Sequence, residues 1–123
     1  GWAEDRDYVV DIDGNNDCMC SESKIIELNA NETDYEIKTY TLLHEAGHVL
    51  IYGSPGTMNL LPAKRRDEKT LTIEEKTRVV LEEVEAWKRG YRLGKRLCIP
   101  INDKTWEIEQ ADALYKHMKW ALE

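Results

Sequence analysis

Leu42-Leu43-His44-Glu45-Ala46-Gly47-His48-Val49-Leu50-Ile51 is the stretch from which the rest of the chain can be read. Its apolar residues (Leu42, Leu43, Ala46, Val49 and Leu50) fit one side of a core helix. On an α-helix, residues four apart stack on one face, so His44 and His48 can present two imidazole nitrogens to one metal ion. Glu45 lies one residue round the same rim, where its carboxylate can act as general base on a water held by that metal. Two neutral imidazoles and a nearby carboxylate suit zinc (Zn2+), which in catalytic sites takes three protein ligands and keeps a position open.

Working outward, the apolar pattern Tyr35, Ile37, Tyr40, Leu43, Leu50 predicts a helix over about Asp34–Tyr52. Thr33 or Asn31 can cap it, and Gly53, with Pro55 and Gly56 beyond, ends it. Upstream, Tyr8–Asp13 and Lys24–Asn29 read as strands, the second half-buried with Ile25 in its alternation. Gly14-Asn15-Asn16-Asp17 reads as a solvated hairpin turn, with a return strand opening at Cys18–Cys20. It lacks the spacing and terminal Glu of a calcium loop.

Downstream, residues 53–71 carry no periodicity, and a rim over the cleft or a solvated connection fits them equally. Thr72-Ile73-Glu74-Glu75 has the form of a capping box. The helix that follows runs to about Leu97, with Val80, Val84, Trp87 and Tyr91 as its expected buried stripe. Pro100 stops it, and a last helix begins near Asn102 or Asp103. The expected fold is therefore α+β: a short antiparallel sheet packed on the motif helix, a second helix rich in Glu and a C-terminal helix. The 123 residues read as one domain.

A third metal ligand has to come from elsewhere. The tight-turn pattern HExxHxxGxxH would need Gly at 51 and His at 54, where the chain has Ile51 and Ser54. An all-histidine site would have to use His117. The other source is the run Glu82-Glu83-Val84-Glu85 on the second helix. Phased on Val80, Val84 and Trp87, that run favours Glu85 as ligand, with Glu82 as its rival or support and Glu83 pointing away from both.

Composition narrows the function. A net charge of −7 opposes phosphate-backbone binding and a basic membrane-surface role, so neither a nucleic acid nor a membrane is an expected partner. No apolar run reaches transmembrane length. The odd count of three cysteines, without a CxxC pair, fits a reducing compartment such as the cytoplasm. Cys18 and Cys20 read as small buried residues or a strand end. The chain opens at Gly1-Trp2 without Met, in keeping with processing or trimming.

His44-Glu45-Ala46-Gly47-His48, followed by Glu85-Ala86 on a second helix, resembles the gluzincin branch of zinc metallopeptidases. It is similar to the compact ImmA/IrrE-like and SprT-like proteins and to small phage-encoded metallopeptidase-like proteins. The resemblance spans about residues 8–96. It implies a minimal zincin-like fold, zinc ligands His44, His48 and Glu85, Glu45 as base, a peptide or protein substrate and a cytoplasmic setting, including that of a phage-infected bacterium. There are departures. Arg89 stands four residues after Glu85, where the thermolysin type has Asp, and the basic domain of DNA-repair SprT-like proteases is missing. The competing class is a zinc-bearing binding or regulatory module without efficient hydrolysis, and an intact Glu45 favours the enzyme over it.

Overall fold

The computed structural model describes residues 1–53 and 71–123. The expected connection over residues 53–71 thus falls almost wholly outside the described residues. A 3-10 turn at Glu4–Arg6 leads into strands β1 (Val9–Gly14), β2 (Cys18–Cys20) and β3 (Ile25–Asn29), then helices α1 (Tyr35–Tyr52), α2 (Ile73–Arg96) and α3 (Asp103–Ala121). The class is α+β, as expected, but the sheet is mixed, with order β1-β3-β2. β1 runs parallel to β3 and β2 antiparallel to it, so the anticipated β1–β2 hairpin does not form.

The reason lies in side chains that bond to the backbone of the turn. Glu27 Oε2 accepts from the amides of Asn15 and Asn16 at 2.8 and 3.1 Å. Asp17 Oδ1 accepts from the amide of Asn29 at 2.7 Å. These bonds carry the chain across the end of β3 to its far edge, where β2 pairs back. Within β3, Ile26 and Leu28 are buried with Tyr8 and Val49, whereas Ile25 faces outward. The expected alternation is present in the opposite phase.

Each helix start is built locally. Asp34, rather than Thr33 or Asn31, caps α1 by accepting from the amides of Glu36 and Ile37. The Thr72–Glu75 capping box is present in both directions at the start of α2. Asn102 caps α3, and its own amide donates to the Tyr40 hydroxyl at 2.7 Å.

The α1–α2 packing positions the site. A Cβ on Gly47 would overlap the Ala86 carbonyl, and one on Gly90 would overlap the Leu43 carbonyl. The two backbones therefore touch along a seam that only small residues permit. The buried residues of α2 are Val79, Glu82, Glu83, Ala86, Trp87, Gly90, Leu93 and Gly94, while Val80, Val84 and Tyr91 are only partly covered. The helix is thus rotated from the stripe expected from its larger apolar residues. Tyr40, Leu43, Trp87, Leu93 and Trp106 fill the core that joins the three helices.

Candidate metal centre

Rotation of α2 decides which carboxylate meets the histidines. His44 and His48 project from the middle of α1 and are both buried. Their Nε2 atoms are 3.2 Å apart. Glu83 reaches them from α2, with Oε2 at 2.8 Å from His44 Nε2 and Oε1 at 3.1 Å from His48 Nε2. Glu85 is not brought to the pair. Its Oε1 accepts from Arg89 Nε at 2.9 Å, and Arg89 also donates to the Leu50 carbonyl at 3.2 Å, so this pair ties α2 to the end of α1. Glu83, which the expected phase had turned away, is the acid that faces the histidines.

The surroundings fix the rings. His44 stacks on Trp87 with centroids 4.4 Å apart and planes at 13°, and its Nδ1 lies 3.4 Å from Glu45 Oε1. His48 Nδ1 lies 3.3 Å from Oε2 of Glu82, a fully buried residue. Glu82, the rival ligand, therefore meets Nδ1 of His48, while Glu83 meets Nε2. Holding the outer ring nitrogen is how a ligating histidine is aimed.

The electrostatics ask for a cation. Glu45, Glu82 and Glu83 are all buried around the two rings. Burial works against a charged His48, but the bonds to Glu82 and Glu83 outweigh it and push the imidazole up to about 10. His44 is raised as well, with Glu45 and Glu83 overcoming its burial. Burial would raise the Glu83 carboxyl, yet its bonds to His44 and His48 hold it well below the usual carboxylate range. The metal-free cluster thus offsets its acids by holding protons on the imidazoles.

A divalent ion can take the place of those protons. Two donors about 2.0–2.1 Å from a tetrahedral ion lie about 3.3 Å apart, close to the observed Nε2 separation. His44, Glu45 and His48 form one group whose donor atoms are close enough to hold a metal, and His48, Glu82 and Glu83 form another. The residues present fit such an ion.

The cluster lies along a cleft of about 560 Å³, walled on one side by Cys18–Ser21 and on the other by Val79 and His117. The three cysteines are free; Cys18 is exposed and Cys20 half-buried, so of the two readings offered for them the strand end holds, as they are the first and last residues of β2. Burial, with Glu27 and Glu45 nearby, pushes the Cys18 thiol up to about 11. Tyr91 is structural, its hydroxyl donating to Asp103 Oδ1 at 2.8 Å and its ring lying against Trp106. His117 borders the cleft and is only partly exposed. No family model, curated protein or solved structure matches the chain.

One signal in the sequence pointed to Glu83. Ala86, Gly90 and Gly94 recur every four residues, a small-residue ridge suited to close helix contact, and Glu82 lies one turn before it. Phased on that ridge and on Trp87, α2 buries Glu82 and Glu83 together and leaves Glu85 at the margin. No helix among the described residues is long and apolar enough to cross a membrane.

Proposed function

We propose that the protein is a zinc-dependent hydrolase of peptide bonds, with His44, His48 and Glu83 as metal ligands and Glu45 as general base. The observation that carries this reading is the meeting of two imidazole nitrogens and one carboxylate at distances of 2.8, 3.1 and 3.2 Å, with Glu45 buried beside them. A sheet, a motif helix and a carboxylate-bearing second helix, in that order, also support the zincin-like resemblance. A bound zinc would act as Lewis acid toward the substrate carbonyl and make water more acidic.

The chain's own groups supply the remaining chemistry. Trp87 and Glu82 hold the two rings against rotation. Glu45 takes the proton of the attacking water and returns it to the leaving amine. β3 is hydrogen-bonded on both sides and has no edge to offer a peptide. β2 is the edge strand on the cleft side, and its backbone suits an extended peptide or protein segment. The net charge of −7 disfavours a nucleic acid in the same cleft.

Glu45→Gln tests the assignment. The variant should keep one zinc per chain and lose peptide hydrolysis by about 10²–10⁴-fold. Hydrolysis at the wild-type rate would remove Glu45 from the mechanism.

A further inference from the structure

The third histidine of the chain repeats, on another helix, the construction of the two in the motif. A metal-binding histidine typically donates one ring N–H to a fixed acceptor and points the other nitrogen at the ion. For His44 and His48 the carboxylate oxygens near Nδ1 are Glu45 Oε1 at 3.4 Å and Glu82 Oε2 at 3.3 Å. For His117, Nδ1 lies 3.1 Å from the Ala113 carbonyl oxygen, one turn back on α3. A carbonyl only accepts, so Nδ1 carries a hydrogen there and Nε2 is the nitrogen left for a partner in the cleft that His117 borders.

That nitrogen faces Glu83. His117 Nε2 is 3.6 Å from Glu83 Oε1, the same oxygen that lies 3.1 Å from His48 Nε2. A cation between the two atoms, a ring proton or a metal ion, makes such a contact favourable. The 3.6 Å separation is also near the about 3.3 Å expected between neighbouring donors on a four-coordinate zinc. All three histidines thus have an oxygen near Nδ1 and place Nε2 within 3.6 Å of the Glu83 carboxylate.

We propose that His117 is a fourth protein donor to the metal, giving a centre of His44, His48, His117 and Glu83. The inference rests on the metal reading above and changes what the resting site is. Four protein donors fill a tetrahedral shell, so a position for water opens only when His117 withdraws. The ring has room to do so: its side chain is 36% exposed, and a second hollow beyond it is lined by Val79, Lys116 and Trp120.

X-ray absorption at the zinc edge, which counts coordinated imidazoles, tests this on zinc-loaded wild type and His117→Ala. The expected result is three imidazoles in the wild type and two in the variant, with zinc bound at least about tenfold more weakly by the variant. Two imidazoles in the wild type would overturn the fourth donor and leave the His44–His48–Glu83 site standing. A wild type that takes up no zinc would overturn both. The wild-type count is decisive even if the variant does not fold.

Discussion

The α1–α2 seam and the three-stranded sheet each contain a buried glycine against which a methyl group would collide, and the two collisions differ in kind. At Gly47 the obstacle is the Ala86 carbonyl, a backbone atom that can move only if a whole helix moves. At Gly14 it is the Glu27 side chain, which can swing aside at the cost of its bonds to Asn15 and Asn16. The seam is therefore rigid and sets the site geometry, whereas the sheet is held by replaceable side-chain bonds. Gly47→Ala should cost about 3 kcal/mol and separate Glu83 from the histidines. Gly14→Ala should cost about 1 kcal/mol, the scale of a hydrogen bond or two. Denaturant unfolding of both variants checks this, and equal losses would erase the distinction between the two regions.

The rotation of α2 imposed by that seam sharpens the comparison further. If the Gly47–Ala86 and Gly90–Leu43 contacts set the helix phase, Glu83 belongs to the site and Glu85 does not. Glu83→Ala should reduce zinc affinity by at least about 100-fold, since it removes a ligand and leaves the imidazoles protonated or unpaired. Glu85→Ala should leave zinc content unchanged and lower stability by about 1 kcal/mol, because it loses a partly buried ion pair with Arg89. Zinc titration of the two variants decides it. Loss of zinc in Glu85→Ala alone would show that α2 sits in the other phase in solution.

What could be read in the sequence divides along the same line. The motif helix, its end at Gly53 and the Thr72 capping box depend on residues within a few positions of one another, and all three are found where local rules put them. The phase of α2 depends on what lies across from it. Val80, Val84 and Tyr91 look like a core stripe in isolation, but the close approach of α1 favours Ala86 and Gly90 at the contact, and burial follows backbone proximity instead of side-chain size. That shift of a fraction of a turn exchanged Glu85 for Glu83. The strand order is less accessible still. Whether residues after Gly14 turn back onto β1 or cross to the far side of β3 depends on Glu27 and Asp17, which are 12 residues from their partners. His117, 34 residues beyond Glu83, could be named only as the remaining histidine, and nothing local in the sequence places it at the cleft.

A smaller effect separates the charged centre in the seam from the rest of the molecule through pH. In the metal-free protein His48 is raised from 6.5 to about 10, so the stability it contributes is fully present below pH 6.5 and is lost as pH rises toward 10. Glu83 is shifted downward, so its contribution is present above its ordinary value of 4.5 and is lost only in acid. Both describe the same buried ion pairs and count once. The metal-free protein should therefore lose on the order of 2 kcal/mol, several degrees in Tm, between pH 6.5 and 9.5. Zinc requires the imidazoles deprotonated, so the Tm increase on adding zinc should grow over that same interval. Thermal melts with and without zinc across the range measure both trends. A metal-free Tm that stays flat while the zinc shift also stays constant would mean that the imidazoles are already neutral. The buried carboxylates would then carry the protons.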